Sequence, residues 1–126
     1  MSTDMIINDT DGKALTPAQI AATVTASAEA VSIWSETANG PLTIKIAQVF
    51  EETVEQVTDD GEVVMRDRVV IITPDGDAYS TSAQAAIAVL ARVHKMAKTF
   101  AGFKFTFQRR GARSGRQFLS VTVDAE

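Results

Sequence analysis

The segment from Phe103 to Val123, FKFTFQRRGARSGRQFLSVTV, constrains the fold more than any other part of this chain. Apolar residues occupy every second position on both sides of a basic, glycine-containing loop: Phe103, Phe105 and Phe107 before it, and Leu119, Val121 and Val123 after it. Alternation with this period predicts a β-hairpin. Three aromatic residues on one strand face are more typical of a core than of a binding surface, so we expect them to be buried.

The loop of the hairpin concentrates positive charge. Four guanidinium groups fall within eight residues, at Arg109, Arg110, Arg113 and Arg116. Charges this close repel one another and favour an anionic partner. A solvated hairpin tip without a ligand is an equally good interpretation of an isolated basic loop.

Composition limits the class of protein. A chain of 126 residues, 45% hydrophobic and 22% charged, has the size and balance of one soluble globular domain spanning residues 1–126. The absence of cysteine excludes disulfides, thiolate metal sites and a cysteine nucleophile. No apolar run is long enough to span a bilayer, and residues 1–11 lack the features of a signal peptide. We therefore expect a cytoplasmic protein with no membrane partner.

Charge is distributed unevenly along the sequence. Residues 1–91 carry 4 basic and 14 acidic side chains, whereas residues 92–126 carry 8 basic and 2 acidic ones. Binding of a polyanion depends on the local field within about 10 Å and not on the net charge of −4. The C-terminal third is thus the expected anion-binding part.

The N-terminal region predicts one helix. Residues 1–15 are polar and are expected to form an irregular lead-in. Thr16 followed by Pro17 is typical of a helix start, so we predict an N-terminal helix over residues 16–36, with Ile20, Val24 and Val31 on one face.

The rest of the chain predicts a mainly β architecture. A strand from Leu42 to Val57 changes phase near Ala47 to Phe50, which indicates a bulge or a bend. Turn signals then bound further strands over residues 62–73 and 78–80, and apolar residues at helical spacing predict a helix over residues 83–98. A three-strand meander, a helix and a β-hairpin are the order of a β-barrel of the OB-fold type, spanning residues 42–123.

Catalysis finds little support in the sequence. The single histidine, His94, falls near the apolar face of the predicted helix and is more typical of a core boundary. Paired carboxylates such as Asp59 and Asp60 lie in turns, where acidic residues are common. No nucleotide-binding glycine motif occurs. We expect a protein that is not an enzyme and has no metal or cofactor.

Binding of single-stranded nucleic acid needs a cationic groove and aromatic faces, and the sequence supplies both. The phosphate-binding candidates are Lys45, Arg66, Arg68, Lys104, Arg109, Arg110, Arg113 and Arg116. The base-stacking candidates are Trp34, Phe50, Tyr79 and Phe118. Phe118 is included because it alternates away from Leu119, and Arg66 and Arg68 because they share one strand face.

The order of features resembles the small OB-fold single-stranded DNA-binding proteins of tailed bacteriophages and mobile elements. The resemblance covers about residues 34–123 and rests on Gly40-Pro41-Leu42, Asp60-Gly61-Glu62-Val63, the run RVVIITPDGDAYSTS from Arg68 to Ser82, and the terminal run Phe118 to Val123, with Ile6-Ile7-Asn8 as an opening. It implies a protein that coats single-stranded DNA in phage replication or recombination, without a cofactor. Only Asp124-Ala125-Glu126 remains of the acidic partner-binding tail of bacterial relatives.

Two hypotheses follow from the sequence. The first is a monomer or small homo-oligomer that binds single-stranded DNA between the hairpin and the strand of Arg66 and Arg68, with phage replication or recombination proteins as further partners. The alternative is a small phage module that uses the same barrel to bind another protein and has no nucleic-acid ligand.

Overall fold

The computed structural model describes residues 16–111 and 114–126; the predicted lead-in and Arg113 lie outside these described residues. The chain is mainly β, as predicted, with 43% strand and 28% helix. In chain order the elements are α1 (Pro17–Glu29), β1 (Val31–Ser32), α2 (Ile33–Glu36), β2 (Leu42–Ile44), β3 (Gln48–Val57), β4 (Val63–Ile72), β5 (Ala78–Thr81), α3 (Gln84–Ala97), β6 (Phe103–Gly111) and β7 (Gln117–Ala125).

The strands form two sheets. Sheet A has the order β1-β5-β4-β3 and sheet B the order β2-β6-β7. Within sheet A, β3, β4 and β5 form the predicted antiparallel meander, while β1 pairs with β5 in parallel. Within the described chain no strand pairing joins β5 to β7, so the sheets do not close into the expected barrel.

The predicted bend in the first long strand is confirmed and links the two sheets. β2 pairs with β6 in sheet B, whereas β3 pairs with β4 in sheet A, and residues 45–47 make the turn between them. Val49 and Phe50 are both buried although they are consecutive, because the two faces of β3 pack against different layers. The change of phase in the sequence marks the point where the chain passes from sheet B to sheet A.

The main core lies between the two sheets and α3. It includes Phe105 and Phe107 of β6, both fully buried, which confirms that the phenylalanine face of the hairpin is core. The α3 face contributes Ala86, Ile87 and Leu90. His94 sits at the boundary, as predicted, with its ring 5.3 Å from that of Phe100.

The N-terminal helix is shorter than predicted. α1 begins at Pro17, as expected, but ends at Glu29, and the chain then forms β1 and the single turn α2 in place of a helix to residue 36. Ile33 is fully buried in the main core, and Val31 pairs with Tyr79 of β5. These long-range contacts prevail because the hydroxyl-rich helix sequence has only weak helix propensity.

The face that α1 turns inward is also not the predicted one. Ile20 and Val24 are 49% and 64% exposed, and Val31 is 44% exposed. Ala26 is buried instead, against Phe50 and Val70 of the meander. The small side chain lets the helix approach the sheet closely, and this side also carries the hydrogen bonds of Ser27 described below.

Candidate nucleic-acid interface

Trp34 is held at the surface by an arginine of the hairpin. The guanidinium carbon of Arg109 lies 3.9 Å from the centroid of the Trp34 ring, and Arg109 Nε donates a hydrogen bond of 2.9 Å to the Trp34 carbonyl oxygen. A second guanidinium nitrogen donates to the same oxygen. Stacking and hydrogen bonding together fix the indole, which remains 39% exposed.

The alternation of β6 explains why Arg109 reaches this position. Phe105, Phe107 and Arg109 share one strand face, and the first two fill the core. Arg109, the third residue of this series, lies toward the tip of the hairpin, next to Trp34 of α2. Its side chain therefore extends across Trp34 and not into the core.

A groove of about 590 Å³ opens beside Trp34. Arg66 and Arg68 of β4 line it, and so do Thr81 of β5 and Leu119 of β7. One acid, Glu55 of β3, also lines the groove. The groove thus lies between two strands that do not pair. The structure thus brings together four of the predicted site residues. Trp34, Arg66 and Arg68 line the groove, and Arg109 stacks on Trp34 at its rim.

Arg68 is partly neutralised by a network that ties α1 to the meander. Its Nε donates to Glu52 Oε1 at 2.6 Å, and its Nη2 donates to the Ser27 carbonyl oxygen at 2.8 Å. Ser27 Oγ in turn donates to the Glu52 carboxylate, at 2.7 Å from Oε2. Arg66, two residues earlier on the same strand face, is exposed.

Arg110 and Phe118 lie on the opposite face of the hairpin. They are direct cross-strand partners, and Phe118 is 46% exposed whereas its neighbour Leu119 is buried, as the alternation predicted. Arg110 Nε donates to Ser120 Oγ at 3.0 Å. An arginine of the hairpin thus lies beside an exposed aromatic residue on each side: Arg109 beside Trp34 of α2, and Arg110 beside Phe118.

The two predicted lysines lie away from the groove. Lys104 is at the base of β6, six residues and about 20 Å along the strand from Arg110. Lys45 lies in the turn between β2 and β3 and forms an ion pair with Glu126. Both belong to the end of the molecule opposite the hairpin tip. Arg116 is exposed in the loop at that tip.

Two predicted stacking residues are not placed for stacking. Phe50 is only 9% exposed, because Ala26 of α1 and Val70 cover it. Tyr79 is half-buried and lines a different cavity, of about 650 Å³, together with Glu36 and Asp77. Burial, followed by the charges of Asp77 and Glu36, raises the pKa of Tyr79. An acidic cavity of this kind repels phosphate.

Sequence reasoning missed Glu52 and Ser27, although one of them left a signal. The turn at Asp59-Asp60-Gly61 sets the register of the β3–β4 hairpin, and that register places Glu52 directly opposite Arg68. Counting outward from the turn would have found the pair. The contribution of Ser27 could not be found in this way, because it depends on how α1 packs.

Metal-binding groups, membrane-spanning helices and similar proteins were each sought for this chain. Residues 16–111 and 114–126 contain no group of three or more side chains able to hold a metal ion. None of the helices among them is long and apolar enough to cross a membrane. Comparison of the chain with protein-family models, curated protein sequences and solved structures finds no match.

Proposed function

We propose that this chain binds single-stranded DNA with little sequence preference, in the groove beside Trp34. The observation that carries the proposal is the exposed indole fixed by Arg109 next to Arg66 and Arg68. Sequence-tolerant binding of single strands requires this combination of an aromatic face for bases and cations for phosphates. The resemblance seen in the sequence extends the proposal to protection of DNA during phage replication or recombination.

We further infer that the two sheets are an opened OB-fold. β2 and β3 correspond to the bent first strand, β4 and β5 to the second and third, and β6 and β7 to the fourth and fifth, with α3 in the usual position between third and fourth. OB-folds bind oligonucleotides on the face of strands two and three and on the loop between strands four and five. The groove lies beside β4 and β5 and near the hairpin tip, which agrees with that location.

The distribution of charge on the two sheets supports binding of the ligand near the hairpin. The strands of sheet B carry Lys104, Arg109 and Arg110 against a single acid, Asp124. Sheet A is acidic at its outer edge, where β3 carries Glu51, Glu52 and Glu55. A polyanion is therefore attracted toward the hairpin, while Glu55, which also lines the groove, repels it.

The proposal predicts tight, salt-sensitive binding of a single strand. Anisotropy of a labelled oligo-dT of about 30 nucleotides, titrated at several salt concentrations, should give a log-log salt slope of about −2 to −3 for three or four phosphate contacts. Fluorescence of Trp34 should be quenched in the same titration. A duplex of equal length is the control and should bind more weakly. No binding to the single strand at low salt would overturn the proposal.

Glu52→Gln should strengthen binding, because it removes the charge that neutralises Arg68 while keeping a side chain of the same shape. If Arg68 then gains one phosphate contact, the salt slope steepens by about 0.7. The pair is mostly buried and hydrogen-bonded to Ser27, so the variant should lower the free energy of unfolding by about 1–3 kcal/mol. Glu62→Gln, in the β3–β4 loop, is the matched control for loss of one negative charge. An equal effect of both variants would show that only net charge matters.

The rival function is binding to another protein. The exposed apolar side chains of Ile20 and Val24, one turn apart on α1, favour it, because a small protein rarely leaves such residues grouped at its surface. This function predicts no salt-dependent binding of oligo-dT, so the titration above separates the two.

A further inference from the structure

We propose that the outer face of the β6–β7 hairpin carries a second stacking subsite for the same nucleic-acid strand, formed by Phe118 and Arg110. A strand bound at Trp34 passes around the hairpin tip and reaches this face. The inference rests on the proposed function and extends it from one groove to a path with two aromatic contacts.

The subsite has the same parts as the one at Trp34. Phe118 stands directly opposite Arg110 in the register, so their side chains are neighbours on one face of the sheet. The hydrogen bond from Arg110 Nε to Ser120 Oγ holds the guanidinium along β7. Ser120 is itself fixed, because its hydroxyl donates to the Gln108 carbonyl oxygen at 3.2 Å. The arginine is thus positioned beside an exposed aromatic ring.

The face around Phe118 is suited to a polyanion. From the tip toward the base, the outward-facing residues of β6 and β7 are basic or neutral, namely Arg110, Phe118, Gln108, Ser120, Thr106 and Thr122. The first acid on this face is Asp124, which lies opposite Lys104 near the base of the hairpin. A phosphate backbone can therefore follow this surface for most of its length without facing a carboxylate.

The exposed valines of the β3–β4 hairpin lack this setting. Val57 and Val63 are 67% and 61% exposed, but they flank the acidic loop that contains Asp59 and Asp60. Among the described residues, Phe118 is the only exposed phenylalanine, and it lies beside Arg110. A stacking role accounts for an aromatic side chain that contributes little to the core.

The hairpin tip connects the two subsites. Arg109 and Arg110 are consecutive, so their α-carbons are about 3.8 Å apart while their side chains point to opposite faces. A strand that contacts both must pass around the tip, where Arg116 is exposed. Sites on OB-folds occupy roughly 4–16 nucleotides, so a short oligonucleotide should fill only the groove and a long one should reach both faces.

The test compares Phe118→Ala with the unaltered protein on oligo-dT of 6 and of 20 nucleotides at low salt, by anisotropy. Met96→Ala, which truncates another exposed apolar side chain on α3, away from both subsites, is the matched control and should bind both lengths as the unaltered protein does. Phe118→Ala should bind the 6-mer within about twofold of the unaltered protein and the 20-mer roughly tenfold more weakly. Circular dichroism should show an unchanged fold, since Phe118 is exposed.

The outcomes separate this inference from the proposed function. Unchanged binding of the 20-mer by Phe118→Ala would overturn the second subsite while leaving the groove at Trp34 intact. An equal loss for both lengths would also overturn it, because Phe118 would then belong to the first subsite. Failure of the unaltered protein to bind either oligonucleotide would overturn the proposed function itself.

Discussion

Trp34→Ala should weaken binding of a 20-nucleotide oligo-dT by roughly 5- to 150-fold, which corresponds to about 1–3 kcal/mol for the loss of one stacked base. The expected loss is large because Arg109 holds the indole in place through its stacked guanidinium and its hydrogen bonds to the Trp34 carbonyl. A fixed aromatic ring loses little conformational entropy when a base stacks on it. Anisotropy of a labelled oligonucleotide measures the effect without the tryptophan signal.

Two further variants make this test specific. Trp34→Phe should restore part of the affinity, because it keeps an aromatic face. Met96→Ala removes another exposed apolar side chain, one that is 80% exposed on α3 and does not line the groove, and it should leave binding unchanged. Affinity of Trp34→Ala equal to that of the unaltered protein, in a variant shown to be folded, would contradict the stacking role.

Phe107→Ala should lower the free energy of unfolding by about 3–5 kcal/mol, the range for truncation of a buried phenylalanine. Phe107 has no exposed surface and lies in the main core between the two sheets, where its removal leaves a cavity. It also pairs with Leu42 of β2 and Val121 of β7, so both neighbours of β6 lose a packing partner. Urea unfolding followed by circular dichroism provides the measurement.

Phe118→Ala is the matched control for Phe107→Ala, since both residues lie on the same hairpin. Phe118 is 46% exposed, and its truncation should change the free energy of unfolding by no more than about 0.5 kcal/mol. Similar losses of unfolding free energy for the two variants would contradict the assignment of Phe107 to the buried face and of Phe118 to the exposed face.

Most residues of the candidate site could be predicted, but the face of the hairpin that forms the groove could not. The residues that stack or pair at the hairpin, Arg109, Arg110 and Phe118, were all expected from alternation and charge. The sequence analysis nevertheless placed them in one groove. Arg109 and Arg110 must face opposite sides of a strand with a period of two, and only the position of Trp34 shows which side forms the groove.

Three of the errors in the sequence analysis have a common physical origin. Phe50 and Tyr79 were predicted to stack on bases, Tyr79 because it borders a turn, yet packing against α1 buries the first and acidic neighbours lie beside the second. Ile20 and Val24 were expected inside, yet the close approach of Ala26 turns them outward. The positions of Phe50, Ile20 and Val24 depend on the packing of α1 on the meander, a contact between segments more than 20 residues apart in sequence.

Local patterns in the sequence were sufficient to determine the strands other than β1, the α3 helix, the bend after β2 and the buried face of the hairpin. These features follow from the periodicity of apolar residues and from turn-forming residues, and both act over a few positions. The tertiary structure alone decided the end of α1, the opening between β5 and β7, and the contact of Arg109 with Trp34, which are 75 residues apart. Such contacts depend on the free energy of packing distant segments together, and no local pattern carries that information.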